Sequence, residues 1–507
     1  MTDAQRLLEQ AQHALGNRRP DDAKALLDRA LRAEPGNPMV LTKLAEFALR
    51  DRDQALAERH LLAALAAEPH FAPAWTELAH ARWLAGRRGA ATEAARRALD
   101  IQPFVMRFRL RYVQFAAWTG HIREAREALA PLLDPAGSEP PAQAMATAML
   151  GEILIAAGQF EAAIQPLEDA LRRLPSLPAA TIMLAMNRLR LGDFRAGWPG
   201  LDIREPGREL YKDGPPAAFG AWWTGGPIAG RSILIADDQG HGDAIQVFRY
   251  LPMIRAMRPA RITWRTFPPL VRLFAAAAPD VTVLAGLPED AAFDTHCTST
   301  NLPRWLDTTA DTIPGGIPYL RAPARSRLSH PRNRRLKVGL VWSGDQRHMR
   351  DHLRSIPAAL FLTLADIPDI AFYSLQHEVR DQDRPALDAR PAIDRRVEQA
   401  IDLADTATLI AGLDLVIAVD TGVVHLAGAM GKPVWLLLHS TPDWRWQAER
   451  TDSPWYPSLR LFRLKPGEWI DRPRRDPEDM GWRPLVRRVA KALRTLSARR
   501  DGRGMTA

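Results

Sequence analysis

The chain has 507 residues, too many for one hydrophobic core, so several domains are expected. Hydrophobic residues make up 46% of it and charged residues 25%, which excludes a disordered or fibrous chain. The net charge of +9 is spread through both halves without interleaved aromatics, so no nucleic-acid platform is marked, and the single cysteine, Cys297, excludes an internal disulfide framework. The opening MTDAQRLLEQAQHALG lacks the basic, apolar and small-residue order of a signal peptide. No run approaches the roughly 18 apolar residues that span a bilayer, so no transmembrane segment and a cytoplasmic location are expected.

Residues 1–195 repeat. Pro35, Pro69 and Pro103 are each 34 residues apart, the period of tetratricopeptide helix–turn–helix units. Small-large-small triplets keep step with them: Ala23/Leu27/Ala30, Ala57/Leu61/Ala64, Ala91/Ala95/Ala98, Ala125/Leu129/Leu132 and Ala163/Leu167/Ala170. Small side chains at those places let neighbouring helices approach closely. Trp75 and Leu78 fall on a first helix, and Gly86, Gly120, Gly158 and Gly192 fall at turns between helices. Five repeats and one further helix make an all-α solenoid whose groove suits a polypeptide; a spacer or oligomerisation arm is the alternative.

A linker rich in Gly, Pro and Trp, residues 196–230, leads to a different pattern. SILIAD (232–237), RITWRTF (261–267) and VTVLAG (281–286) read as strands separated by helical stretches. After a basic linker at 326–336, KVGLVWSG, IAFYSLQ, DLVIAVD and PVWLLLH repeat the alternation. This predicts two doubly wound α/β domains, 231–325 and 337–507, with ligands at the carboxyl ends of their strands.

Three loops at such ends carry chemistry. DDQGHGDAIQVFRY (237–250) lacks the third glycine of a dinucleotide fingerprint, and no acidic residue closes the second strand. Its Gly240, His241 and Gly242 make a tight strand-to-helix turn on the acceptor side. Asp243 follows in the helix's first turn, either facing the cleft or capping the helix. LVWSGDQRHMRDHLRSIP offers Ser343, Arg347, His348, Arg350, Arg354 and Ser355, of which Arg354 and Ser355 are the chosen phosphate contacts. In VDTGVVHLAGAMG, Asp420, Thr421 and Gly422 open a helix and present main-chain N–H groups suited to a phosphate. His425, one turn in, either donates to the same oxygens or satisfies a buried polar contact.

Taken in order, DDQGHGDAIQVFRY, VGLVWSG, DHLRSIP, YSLQ, DLADTATLIAGLDLVIAVDTGVVHLAGAMGKPVWLLL and PDWRWQAERTDSPWYPSLRLFR resemble the heptosyltransferase-like domain of glycosyltransferase family 9, a GT-B fold, in bacterial tetratricopeptide proteins. Asp238 departs from the usual Glu, and His241 occupies a variable position. The resemblance implies Asp243 as catalytic base, with Asp420, Thr421, Gly422, His425, Arg354 and Ser355 around the donor phosphates. Ser343 and Gln376 would lie on the donor side of the cleft. Flagellin glycosyltransferases of this layout are similar, pairing a flagellin-binding repeat domain with transfer of a nonulosonic-type sugar.

The implied activity is an inverting protein O-glycosyltransferase that uses a nucleotide-sugar, no cofactor and no metal. A glycan or lipid-linked acceptor, and a non-catalytic scaffold or chaperone, are the alternatives.

Overall fold

The structure, a computed structural model, describes residues 2–17, 19–134, 139–201, 217–323, 336–346, 348, 350–472 and 480–500. Arg347 and most of the two expected linkers, 202–216 and 326–335, lie outside the described residues. Two compact units result: Met1–Leu177 with Trp469–Met480, and Pro178–Glu468 with Gly481–Ala507.

The first unit is a solenoid of paired helices: Asp3–Gly16 with Pro20–Ala33, Pro38–Arg50 with Gln54–Ala67, Ala72–Leu84 with Arg88–Ile101, Met106–Trp118 with Ile122–Leu133, and Pro140–Ala156 with Ile164–Arg173. The triplet residues are buried, Leu132 being only partly so. Close approach is literal at Gly151, where a Cβ would fall 2.6 Å from Leu167 Cγ. Inter-helix turns share one motif: Gly86, Gly120 and Gly158 take positive φ, and the next residue's N–H bonds a carbonyl five residues back, His121 N to Ala116 O at 2.8 Å. In the second repeat Arg52 occupies the same left-handed place at φ 65°, where a Cβ is strained. From the C-terminal part of the chain, Ile470 packs on the repeat core and Asp471 accepts from Arg123 N, at the start of a helix that has no side-chain cap of its own.

The second unit contains two five-stranded, wholly parallel sheets. The first comprises β1 (Ala221–Trp222), β2 (Ser232–Ala236), β3 (Arg261–Arg265), β4 (Thr282–Leu284) and β5 (Thr295–Thr298), in the order β1-β5-β2-β3-β4. The second comprises β6 (Leu336–Val341), β7 (Ile370–Ser374), β8 (Leu415–Val419), β9 (Val434–Leu438) and β10 (Leu459–Arg463), in the order β10-β9-β8-β6-β7. β6, β8 and β9 are buried along their whole length, as parallel strands covered on both faces must be. Each sheet reverses direction at its first long strand: between β5 and β2 in one lobe, between β8 and β6 in the other. Loops diverge there and leave a crevice at the strands' carboxyl ends.

The boundary between units differs from the expected residue 195. Helices Pro178–Arg190 and Phe194–Leu201 follow the repeat pattern, yet they are built into the second unit. Their aromatic and charged side chains require it: Trp198 Nε1 donates to Thr308 O at 2.7 Å and its ring meets Trp444 edge-on at 5.2 Å, while Phe194 meets Trp455. Arg190, 1% exposed, donates to Pro442 O at 2.9 Å and Asn187 Oδ1 at 3.0 Å.

β2 runs into Asp237, which is 2% exposed and accepts a 3.2 Å bond from Trp264 Nε1. Burial pushes its carboxyl up from 3.8 to about 6. A folded value above the unfolded one means the penalty on folding grows as pH rises between those two values and is complete above the higher one.

Two predictions follow from these local conformations. Gly120→Ala is expected to lower the stability of the solenoid by roughly 1–2 kcal/mol and Arg52→Gly to raise it by up to ~1 kcal/mol, seen as opposite shifts in thermal midpoint. Asp237→Asn removes a buried ionisation, so its melting temperature relative to the native chain should increase from about pH 4 to about pH 7; a gap that narrows over that range would contradict the burial argument.

Candidate active site

The loop after β2 turns through Gly240 into the helix His241–Val247, and the loop after β8 turns through Thr421 into the helix Gly422–Ala429. These two helices, one from each lobe, touch at their first turns. A Cβ on Gly242 would stand 2.8 Å from His425 Cδ2 and 3.4 Å from Gly422 Cα. Gly242 therefore serves lobe contact, beyond the tight turn the sequence assigns it. His241 lies exposed with its ring edge-on to Phe267 at 5.1 Å.

Asp243 caps its own helix and also faces the other lobe. Its Oδ2 accepts from Gly240 N at 2.9 Å, and its Oδ1 is bonded by the Arg445 guanidinium. Arg445 also donates through Nη1 to Asp443 Oδ1 at 2.8 Å and through Nε to Gln246 Oε1. Burial alone would lower the affinity of that guanidinium for its proton, but Asp443 and Asp243 raise it well above the ordinary value. Asp443 responds in kind: burial would raise its carboxyl, and Arg445 holds it below the ordinary value. Asp420 is pushed up to about 6, by burial and then by repulsion from Asp443.

His425 is 5% exposed, and its Nδ1 lies 3.0 Å from Tyr456 Oη. Burial, followed by the charge of Arg445, lowers its pKa to about 3, so the ring is neutral at physiological pH. The Tyr456 ring packs flat against Gly428, where a Cβ would fall 2.6 Å away.

The loop after β6 is tied down from within. Arg354 lies over Gly344, leaving 2.6 Å between its Cζ and a Cβ placed there, and donates to Asp420 O at 3.3 Å and Asp345 O at 3.1 Å. It thus joins the loop after β6 to the loop after β8. Ser355 has another task than the one expected of it. Its hydroxyl donates to Asp351 Oδ1 at 2.6 Å and accepts from Gly344 N and Arg380 Nη2, both at 3.0 Å, so its hydrogen-bonding capacity is used inside the loop. Gln376 is similarly engaged: Oε1 accepts from Trp342 N and Ser343 N, and Nε2 donates to Ser343 O and Glu378 O. Among the described residues, Ser343 Oγ, after β6, and Thr421 Oγ1, after β8, are buried hydroxyls without a hydrogen-bond partner, as is Thr441 Oγ1 after β9. No side chain caps the Gly422–Ala429 helix. Donors without a partner among the described residues are therefore present at the switch point of the second sheet, where a ligand oxygen would satisfy them.

Sequence reasoning assigned no role to Arg445, Asp443, Tyr456 or Arg380. The first three stand in the aromatic-rich stretch PDWRWQAERTDSPWYPS, where a charged pair among tryptophans was the available signal.

A family model described as glycosyltransferase family 9 (heptosyltransferase) matches residues 391–480, which include Asp420–His425 and Arg445 but not Asp243. Tetratricopeptide-repeat models match residues 8–59 and 119–178. The chain is 26% identical to Protein FlbA of Caulobacter vibrioides over 374 residues, 67% of this chain. The match spans 60% of the length of that curated relative. Among solved structures it is similar to a thermophilic tetratricopeptide-repeat protein of Thermus thermophilus, 21% identical over 37% of this chain and 99% of that one, TM-score 0.31. It is also similar to MamA of Desulfovibrio magneticus, 17% identical over 33% of this chain and 92% of that one, TM-score 0.27. Among the described residues no helix is long and apolar enough to cross a membrane. The chain thus joins segments that match tetratricopeptide-repeat models to a segment, 391–480, that matches the glycosyltransferase family 9 (heptosyltransferase) model.

Proposed function

We propose that this glycosyltransferase is an inverting, metal-independent protein O-glycosyltransferase of the cytoplasm. It moves a sugar from a nucleotide-sugar to a Ser or Thr hydroxyl of a polypeptide held by the repeats. The observation that carries the reading is the close approach of Gly242, which precedes Asp243 on one lobe, to Gly422 at the uncapped helix N-terminus on the other. A carboxylate and a cluster of anion-seeking donors on opposite sides of a switch-point crevice suit displacement at a carbon that bears a phosphate.

In that reaction the hydroxyl proton passes to an Asp243 oxygen as the hydroxyl oxygen bonds the anomeric carbon. The bond from that carbon to the phosphate oxygen breaks, and its electron pair stays on the phosphate. Main-chain N–H groups at 421–423, Thr421 Oγ1, Ser343 Oγ and Arg354 would receive the developing negative charge. Being neutral, His425 contributes a hydrogen bond rather than a charge. Ser355 and Gln376 support the loop that carries Ser343 and Arg354.

The resemblance of the whole layout to flagellin glycosyltransferases supports flagellin as the acceptor and a nonulosonic-type sugar as the group moved. Intact-mass measurement of flagellar filaments, with and without this gene, tests that assignment: a lower mass without the gene is expected, and equal masses would refute the flagellin acceptor.

Asp243→Asn should fold normally and lower kcat at least about 10²-fold, because the proton acceptor is lost. Thr421→Val should raise the donor KM several-fold and leave the thermal midpoint nearly unchanged, since its hydroxyl has no partner among the described residues.

A further inference from the structure

We propose that Arg445 is the positioning residue for Asp243: from the opposite lobe it fixes the carboxylate in place, so that the base is set only when the two lobes are closed on each other. This rests on the reading of Asp243 as the base.

The guanidinium is bonded on three sides. Nη1 holds Asp443 Oδ1 at 2.8 Å within its own loop, and the Asp443 carboxylate also accepts from the Arg445 main-chain N at 3.1 Å. Nη2 and Nε cross to the other lobe and take Asp243 Oδ1 and Gln246 Oε1. Asp243 and Gln246 are three residues apart, on one face of the helix His241–Val247, and a planar fork reads such a face in one orientation. The flat of the fork lies over Trp444, with Cζ 4.3 Å from the ring centroid, so Arg445 is held in its rotamer by its own lobe.

Asp243 has no comparable restraint of its own. Gly240 N occupies Oδ2, and the only side-chain partner on Oδ1 among the bonds described is Arg445. With 27% of its side chain exposed, the carboxylate would turn into solvent once the guanidinium is withdrawn. A lysine could reach one acceptor but not both, because its ammonium is a point charge without the fork's geometry.

Behind the loop, Arg190 reinforces the arrangement by bonding Pro442 O at 2.9 Å, one residue before Asp443. A buried cation from the helix Pro178–Arg190 thus braces the strip that carries Arg445.

Hydrogen exchange on the full-length, ligand-free protein tests the inference, comparing Arg445→Met, Asp243→Asn and the double variant. If one ion pair joins the lobes, each single change should speed exchange at Ala244–Val247 and at Leu426–Ala429 by about fivefold or more, and the double should be no faster than the faster single. Arg445→Lys should fall between native and Arg445→Met, and it replaces the methionine variant if that fails to fold. Acceleration confined to the lobe that bears each substitution, or effects that multiply in the double variant, would overturn the proposal. No substrate enters this measurement, so its outcome is separate from that of the function. A coupled response with Asp243→Asn fully active in transfer would instead remove the role of Asp243 as base.

Discussion

Two helix N-termini, each following a strand of a different parallel sheet, are pressed together at Gly242 and Gly422, and the rest of the site is arranged around the charge this creates. Helix starts carry partial positive charge, and bringing two together is unfavourable unless anions lie nearby. Asp243 and Asp420 supply them from the chain, one at each helix start. A third carboxylate, Asp443, then makes negative charge the excess, and Arg445 restores balance by binding two of the three. Burial first, and then repulsion from Asp443, pushes the Asp420 carboxyl up to about 6. The contact between lobes is thus a small lattice of alternating charge, sized by a glycine that no larger residue could replace.

Around this lattice, buried polar groups keep the loops from wandering. Arg380 bonds Gly344 O, Asp351 and Ser355, Gln376 spans the ends of β6 and β7, and Arg190 holds the Pro442 carbonyl from a helix outside either sheet. Such groups are weak contributors to net stability but costly to leave unpaired, so they specify one arrangement of the loops. Ser343 Oγ and Thr421 Oγ1, both without a partner among the described residues, stand at the ends of adjacent strands.

The division of labour along the chain is less clean than its repeats suggest. The sixth helical pair has the turn glycine of a repeat, Gly192 at φ 88°, yet Trp198 and Arg190 give it to the second unit. In the opposite sense, Ile470 and Asp471 come from beyond the last strand and complete the solenoid, one as core and one as a cap for the helix Ile122–Leu133. Each unit therefore contains a segment that sequence order would assign to the other.

Much of this was written in local pattern. The 34-residue period, the alternation of apolar runs with helices and the glycine-bearing turns at 240–242 and 420–422 follow from backbone geometry that each short segment carries by itself. Strands β1, β5 and β10 escaped because they are brief or polar; THCT at 295–298 is a strand only because β1 and β2 flank it. The site was legible as two loops but not as a pair. Arg445 and Asp243 are 202 residues apart, and no spacing rule joins them. Ser355 and Gln376 looked like ligands because their chemistry permits it, and only packing showed their polar atoms already engaged. Sequence alone determined which backbone turns could receive an anion, because a turn depends on its own few residues. Tertiary structure decided which side chains neutralise one another, because that depends on which distant segments the two sheets bring within hydrogen-bonding reach.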